Sequence, residues 1–428
     1  MNVIAWAVLL VLCCIGNYEW WVILVNRSHA MGAERRRLRR FRTFHDAGVL
    51  LYPVVMVWRV PMSSIAFASD AGPGDLWSMF SSLDRCLLLW GLSGCVPFAW
   101  VAARWRIIGK AEYFACDQTQ TFDVFQTLMQ RQSAAAVVGD PDAKHLRTQV
   151  QGTSRHGFLL FPWNQVFRLE VNRKTISWDP GAKAETPGPD CETRTLRIVH
   201  LSDLHLLDCP GEAFYRFVVE KAVEFQPDAF VLSGDLLDDI GLLGLAADIL
   251  RPLPQLAPSF LILGNHDCEF SEPQIRRAFT DTGWIDVGSR NLPVTLHGMR
   301  VRIAGNERPW TGMRPPAIAD SEADLKIVIS HSPDFIHDAI RDGYDLMLSG
   351  HTHGGQVVLP LIGPVYAPSR FGTRYASGLF SRGPLRVHVS RGIGANDPLR
   401  FGSCPELTLL TVHVRPRLTS SRLTSPQS

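Results

Sequence analysis

The 428-residue chain is poor in charge, since Asp, Glu, Lys and Arg make up only 20% of it. Soluble globular proteins average about 25% charged residues. The 43 basic and 41 acidic residues nearly cancel, which argues against a nucleic-acid binder with a strongly basic surface. Disorder over most of the chain is excluded as well, because 46% of the residues are hydrophobic.

Several chemical motifs are also missing. The nine cysteines are an odd number and include no C-x-x-C pair, so neither a disulfide framework nor a zinc knuckle is indicated. The sequence contains no Gly-x-Ser-x-Gly elbow and no Gly-x-x-x-x-Gly-Lys-Ser/Thr phosphate loop. These absences argue against a serine-nucleophile hydrolase and a P-loop nucleotide enzyme.

Residues 1–110 have the composition of a membrane region. Eight of the 12 tryptophans fall in this part of the chain, and tryptophan favours the bilayer interface. Apolar stretches cover residues 3–25, 49–68 and 86–103, and a spanning helix needs about 20 such residues. We therefore predict up to three transmembrane helices. Asn17 and Glu19 in the first stretch and Arg59 in the second leave open an interfacial or re-entrant course for those two.

Seven arginines between residues 27 and 42 separate the first two stretches. By the positive-inside rule this loop is cytoplasmic. Three spans would then place residue 104 onward on the cytoplasmic side of an inner or plasma membrane. The same arginines could instead bind anionic lipid headgroups, although a topology signal is the simpler interpretation. A cleavable signal peptide is disfavoured, because the positive charge follows the apolar stretch.

The rest of the chain divides into three parts. Residues 111–195 are predicted to be a linker with a short hairpin around 172–174, and residues 415–428 a disordered tail rich in Ser, Thr and Pro. Between them, residues 196–414 alternate short apolar runs with amphipathic stretches. This alternation predicts an α/β domain with helices on the faces of a sheet, in which ligands bind beyond the carboxyl ends of the strands.

All five predicted strand ends lead into polar residues. The clusters contain Asp203 and His205, Asp235 and Asp238, Asn265 to Asp267, His331, and His351 with His353. Side chains two residues apart on extended backbone point the same way, as shared metal coordination requires. A mixed Asp, Asn and His donor set suits a pair of first-row metal ions better than calcium. Each residue alone could be a helix cap or an ordinary core or surface residue, but five such clusters at one edge favour a metal site.

Together these blocks resemble the signature of the calcineurin-like metallophosphoesterases. The resemblance covers about residues 196–414 and implies a two-sheet αββα sandwich. The continuation Gly350-His-Thr-His-Gly-Gly-Gln356 is similar to the membrane-associated branch with bacterial lipid-A-pathway and cell-envelope phosphoesterases.

The resemblance also implies two divalent metal ions, which would be Mn, Fe or Zn. One ion would be held by Asp203, His205 and His353, the other by Asn265, His331 and His351, with Asp235 bridging them. A hydroxide between the ions would be the nucleophile.

His266 follows Asn265 directly and suits the general acid that protonates the leaving oxygen, with Asp267 orienting its ring. The alternative role for His266 is that of a phosphate-binding cation. Arg308, Trp310 and Arg314 lie in a loop-like segment that either contacts substrate or is an ordinary surface loop.

The expected activity is hydrolysis of a phosphodiester or pyrophosphate bond in a membrane-associated, lipid-linked substrate such as UDP-2,3-diacylglucosamine. Two alternatives stay open: a tethered phosphatase or phosphodiesterase acting on a soluble substrate, and a catalytically idle membrane scaffold. Nucleic acid is not an expected partner.

Overall fold

The computed structural model describes residues 3–30, 35–59, 80–107, 113–114, 117–135, 150, 157–178, 193–316, 323–395 and 397–414. Two compact units result: one comprises Met1–Ala111 with Pro368–Arg374, the other Glu112–Ala367 with Tyr375–Ser428. The predicted disordered tail lies outside the described residues.

Among its described residues, the N-terminal unit has three long helices, α1 (Val3–Ala30), α2 (Arg35–Arg59) and α3 (Ser82–Ile107). Within the described residues, one segment is long and apolar enough to cross a membrane, Ile4–Val25 in α1, with a mean hydropathy of 2.0. The prediction of several transmembrane helices is therefore not confirmed. Helix α2 begins inside the arginine run, and part of the second apolar stretch lies outside the described residues.

The polar residues of these helices bond to one another. Asn17 of α1 donates to the carbonyl of Gly48 at 3.3 Å and accepts from Trp90 Nε1 at 2.9 Å. Arg59 forms an ion pair with Asp84 at 2.8 Å. A polar group in an apolar setting is costly unless it is paired, and Asn17 and Arg59, two of the three groups that left the course of these segments open, have partners within this unit.

The second unit is built on two seven-stranded mixed sheets. The first sheet has the order β1-β14-β15-β11-β10-β9-β8, with bounds Tyr113–Phe114, Gly378–Arg382, Leu385–Val389, Leu346–Ser349, Leu325–Ser330, Met299–Asn306 and Asn291–Leu296. The second has the order β2-β3-β16-β4-β5-β6-β7, with bounds Gln118–Asp123, Arg168–Trp178, Glu406–Val414, Arg194–Leu201, Ala229–Leu232, Ser259–Leu261 and Ile285–Asp286. A separate small pair joins β12 (Val358–Leu359) to β13 (Gly363–Pro364).

Two hydrophobic cores cover the faces of the second sheet. One lies between the two sheets and includes Ile198 of β4 and Ile327 of β10. The other lies on the opposite face, where Val199 and Leu201 of β4 join residues of the helices. Strands buried on both faces read as continuous apolar runs, which explains the patterns in the sequence. The α-helices in the part of this unit that the structure describes are α4 (Val124–Ala135), α5 (Glu212–Glu224), α6 (Leu243–Leu250), α7 (Pro252–Leu256), α8 (Glu272–Thr280) and α9 (Ile336–Arg341).

The predicted α/β class is confirmed, but the predicted linker and hairpin are wrong in the described residues. Strands β1 to β3 belong to the two sheets, and β3 runs unbroken through residues 172–174 between β2 and β16. Asn172 and Lys174 resemble turn residues in the sequence. They occur inside a strand because Glu406 of β16 accepts hydrogen bonds from both, each at 2.7 Å.

Candidate active site and metal centre

The polar clusters predicted at the strand ends meet at one edge of the two sheets. Parallel pairing aligns β4, β5 and β6 in one sheet and β9, β10, β11 and β15 in the other. The carboxyl ends of neighbouring parallel strands therefore open at a common edge. The turns that leave these ends bring the predicted residues within hydrogen-bond distance of one another.

The backbone at these turns is unusual. Ten described residues other than glycine have positive φ, and five of them are predicted metal ligands. Those five are Asp203, His205, Asp235, His351 and His353. Non-glycine residues in the left-handed region carry a cost of about 1–3 kcal/mol and concentrate at functional sites. The positive φ values therefore mark these turns as candidates for a functional site.

Three side chains form the Asp203 cluster, which we define as Asp203, His205 and His353. One ligand atom from each lies within 4.8 Å of the others. The Nε2 atoms of the two histidines are 3.1 Å apart, and His353 Nε2 lies 3.9 Å from Asp203 Oδ1. These atoms can hold one metal ion, because imidazole nitrogen and carboxylate oxygen converge on one point.

The His331 cluster, defined as Asn265, His331 and His351, lies beside it. His331 and His351 group with Asp235 within 4.8 Å, and Asn265 Oδ1 is 3.1 Å from His331 Nε2. His331 Nδ1 lies 2.8 Å from the carbonyl oxygen of Ser233. An imidazole that donates from Nδ1 keeps Nε2 free as a ligand atom, the arrangement typical of metal-binding histidines.

Asp235 joins the two clusters. Its Oδ2 lies 3.4 Å from His205 Nε2 and 3.2 Å from His331 Nε2, one histidine from each cluster. Burial alone would raise the pKa of the Asp235 carboxyl, but the neighbouring His331 and His266 rings hold that pKa well below its usual range. A single ionised carboxylate thus faces both candidate metal positions.

The structure corrects the predicted partner of His266. Asp238, not Asp267, approaches the ring, with its Oδ1 at 2.7 Å from His266 Nδ1. The same carboxylate lies 2.9 Å from His205 Nδ1. Burial disfavours a charged ring, yet Asp235 and Asp238 outweigh it and raise the pKa of His266 to about 10. His266 is therefore protonated at neutral pH in this charge environment.

Asp267 is wholly buried and has a different task. Its Oδ1 accepts from Leu236 N at 2.8 Å and its Oδ2 from Gly264 N at 2.7 Å. Burial, with the charge of Asp235 adding to it, raises the pKa of this carboxyl to about 7. Asp267 thus ties together the turns that carry Asp235 and Asn265.

The predicted substrate loop is only partly at the site. The Trp310 ring centroid is 4.8 Å from that of His351 and 5.4 Å from that of His331. Arg314 forms a bidentate pair with Asp342, so its charge is compensated within the protein. Arg308 is exposed.

Sequence reasoning gave no role to two residues that contact candidate ligands. Asp238 belongs to the Gly234-Asp235-x-x-Asp238 block, and its spacing from Asp235 is the only sequence feature that could have indicated a role at the site. Arg400 is wholly buried and donates to the His353 carbonyl at 2.9 Å, with its Nη2 3.2 Å from His353 Nδ1. No sequence signal linked Arg400 to His353, because the two residues lie 47 positions apart and Arg400 is in an irregular segment.

Comparison with known proteins agrees with this geometry. The family profile of the calcineurin-like phosphoesterases matches residues 196–355. Over 220 residues the chain is 32% identical to phosphodiesterase YaeI of Escherichia coli, an alignment that covers 50% of this chain and 81% of that relative. The chain belongs to the calcineurin-like phosphoesterase family.

Two further relatives each align with half of the chain. The metallophosphoesterase YkuE of Bacillus subtilis is 30% identical over 226 residues, which cover 50% of this chain and 78% of the relative. The UDP-2,3-diacylglucosamine pyrophosphatase LpxG of Chlamydia trachomatis is 27% identical over 274 residues, which cover 50% of this chain and 83% of the relative. The predicted enzyme class is confirmed: the chain is a metal-dependent phosphoesterase with a dinuclear divalent metal centre.

Proposed function

We propose that this phosphoesterase hydrolyses a phosphodiester or pyrophosphate bond in a lipid-linked substrate at the cytoplasmic face of a membrane. The observation that carries the catalytic part is the position of Asp235, one of whose oxygens lies 3.4 Å from His205 and 3.2 Å from His331. A carboxylate between two sets of ligand atoms is the arrangement expected for two ions that share a bridge.

The donor set fits a pair of divalent ions. The Asp203 cluster would hold one, the His331 cluster the other, and Asp235 would bridge them. All seven residues offer imidazole, carboxylate or amide ligands, and Asp203, His205, Asp235, His331 and His351 are buried. When bound, such a pair lowers the pKa of a water held between the ions and neutralises the phosphoryl oxygens.

The chain's own acid would be His266. Asp238 holds its Nδ1 at 2.7 Å, which leaves Nε2 directed away from that carboxylate to donate a proton to the leaving oxygen. The alternative is that His266 binds the phosphate as a cation without transferring a proton. The leaving group distinguishes the two roles, because an activated phenolate needs no acid.

Two features support a lipid-linked substrate. The chain contains the apolar segment Ile4–Val25, and the relative LpxG carries the name of a pyrophosphatase of a diacylated sugar nucleotide. We extend that substrate class, with UDP-2,3-diacylglucosamine as the concrete candidate, to this chain.

An exposed apolar loop gives a third support. Leu160 is 87% exposed and Trp163 is 70% exposed, in a segment that also exposes Phe161. The loop is tied to the candidate site, since Asn164 accepts from Arg400 N at 3.0 Å and Arg400 donates to His353. Exposed Trp, Phe and Leu side chains suit insertion among acyl chains at a bilayer surface.

The first test compares lipid and soluble substrates with the purified full chain in detergent and Mn²⁺. We expect hydrolysis of bis-p-nitrophenyl phosphate and of micellar UDP-2,3-diacylglucosamine. Leu160→Ser and Trp163→Ser should lower turnover of the lipid and leave turnover of the soluble ester unchanged. Leu256→Ser is the matched control, because Leu256 is also exposed, at 56%, but lies at the end of α7.

Hydrolysis of soluble esters alone, unaffected by the loop variants, would support a tethered enzyme of soluble substrates. No hydrolysis with Mn²⁺, Fe²⁺ or Zn²⁺ would support the idle scaffold. Sidedness is tested separately by labelling Cys191, as the sole cysteine of an otherwise cysteine-free variant, in intact and permeabilised cells. Labelling in intact cells would contradict the cytoplasmic orientation.

A further inference from the structure

A chain of buried polar side chains crosses the interior between the two sheets and ends on Asp203. It connects Lys174 of β3, His388 of β15, His200 of β4, Ser233 and Ser202. The successive separations are 3.0 Å from Lys174 Nζ to His388 Nε2, 2.8 Å between the two histidine Nδ1 atoms, 2.9 Å from His200 Nε2 to Ser233 Oγ, and 2.7 Å between the serine hydroxyls. Ser202 Oγ then donates to Asp203 Oδ2.

In this series of hydrogen bonds, each group donates to the next group toward Asp203. A lysine ammonium has only donors, so His388 Nε2 must accept and the proton of its neutral ring must lie on Nδ1. That Nδ1–H donates to His200 Nδ1, which therefore accepts and leaves the proton of His200 on Nε2. His200 Nε2–H then donates to Ser233, Ser233 to Ser202, and Ser202 to the carboxylate. Lys174 thus determines both imidazole tautomers.

Both rings are neutral, as this assignment requires. Burial lowers the pKa of His200 to about 3 and that of His388 well below its usual value, with the nearby Lys174 acting in the same direction on both. The charged groups facing the pair are Lys174, Glu406 and Arg391. Glu406 lies 2.7 Å from Lys174 and keeps that ammonium paired in the interior.

The last link orients a candidate metal ligand. Asp203 Oδ2 accepts from Ser202, and the His351 amide lies 2.9 Å from Oδ1 and 3.1 Å from Oδ2. The carboxylate is held from two sides, with Oδ1 toward His353. Hydrogen bonds to a ligating group from residues behind it typically change metal affinity about 10- to 100-fold.

We propose that Lys174, His388, His200, Ser233 and Ser202 form a one-way positioning relay that orders Asp203 for metal binding. This inference rests on the proposed role of Asp203 as a ligand. The two histidines are positioning residues, since they lie behind the ligand and act through it. A relay with a fixed direction explains why two neutral imidazoles and a buried ammonium occupy the interior between two apolar sheet faces.

The first test reads the tautomers directly by ¹⁵N NMR of labelled imidazoles in the metal-free full chain. We expect the Nδ1–H tautomer for His388 and the Nε2–H tautomer for His200. Lys174→Met should relax the preference at His388, because its Nε2 loses the obligatory donor. Opposite tautomers in the unsubstituted chain would overturn the relay, whatever the enzyme hydrolyses.

The second test measures Zn²⁺ affinity by calorimetry. Ser233→Ala breaks the middle of the relay, and Ser202→Ala breaks its last link if the first variant fails to fold. Either should weaken binding of one of two ions about 10- to 100-fold. Ser259→Ala is the matched control, because it removes a buried serine hydroxyl that donates to the Ala257 carbonyl at 2.9 Å and lies outside the relay.

Unchanged Zn²⁺ affinity in both serine variants would contradict the relay. It would leave the proposed function intact if the unsubstituted enzyme is active. An unsubstituted chain that binds two Zn²⁺ ions and hydrolyses nothing would instead contradict the proposed function. An equal loss of affinity in Ser259→Ala would show that any change to the buried interior weakens metal binding, and would overturn the relay.

Discussion

The two ligand clusters of this phosphoesterase are supported in different ways. Every member of the Asp203 cluster has a side chain behind it: Ser202 bonds Asp203, Asp238 bonds His205, and Arg400 contacts His353. In the His331 cluster, His331 bonds to the backbone carbonyl of Ser233, and the Trp310 ring packs beside His331 and His351. Substitutions of supporting side chains should therefore affect the Asp203 cluster more strongly.

This contrast has a physical basis. A backbone carbonyl cannot be removed by substitution, and a ring contact contributes dispersion without a directed bond. A carboxylate that accepts from a ligand histidine fixes both the orientation of the ring and its tautomer. Metal binding at the Asp203 cluster should therefore respond more to substitutions of supporting side chains than metal binding at the His331 cluster.

The largest effect should come from the residue that the clusters share. Asp235→Asn removes the charge that faces both metal positions, and we expect hydrolysis of bis-p-nitrophenyl phosphate to fall to the uncatalysed background. Asp239→Asn is the control, because Asp239 lies in the same turn, is exposed and only caps Gly241. Unchanged turnover in Asp235→Asn would contradict the two-metal mechanism.

Loss of the candidate acid should come next. His266→Asn removes the proton donor, and general acids typically contribute about 10²- to 10⁴-fold. We expect that loss of kcat with an alkyl phosphodiester and a much smaller loss with a p-nitrophenyl ester, at unchanged metal content. Equal losses with both leaving groups would favour the phosphate-binding role for His266.

A smaller effect is expected when the support of the Asp203 cluster is weakened. Asp238→Asn keeps the shape but removes the charge beside His205 and His266, and should lower metal affinity about 10- to 100-fold. Metal analysis after dialysis should show the loss of one ion of two. Loss of both ions together would contradict the separate support of the two clusters.

The smallest effect should come from the ring beside the His331 cluster. Aromatic ring contacts contribute about 0.5–1.5 kcal/mol beyond burial, so Trp310→Ala should lower metal affinity only about two- to tenfold. Trp310→Phe, which keeps a ring, should recover most of that loss. Metal affinity of both variants is measured by calorimetric titration. A larger loss in Trp310→Ala than in Asp238→Asn would mean that the His331 cluster depends more on its supporting side chains than the Asp203 cluster does.

Local pattern determined much of this protein in advance. Alternating apolar runs predicted the α/β unit, and polar residues after successive runs predicted where the ligands meet, because parallel strand ends share an edge. These patterns involve residues that are close in sequence. They span two residues, as from Asp203 to His205, or a single turn. The membrane region was predicted from composition alone, and one apolar segment of it is confirmed as a candidate span.

Only the tertiary structure decided which side chains support the site and which segments join the sheets. It placed Asp238 against His266, directed Asp267 to backbone amides, and paired Arg314 with Asp342. It also turned an apparent hairpin into a central strand, because Glu406 supplies the partner that buries Lys174. The bond between Lys174 and Glu406 joins groups 232 residues apart, and a hydrogen bond between such distant segments leaves no periodic trace in the sequence.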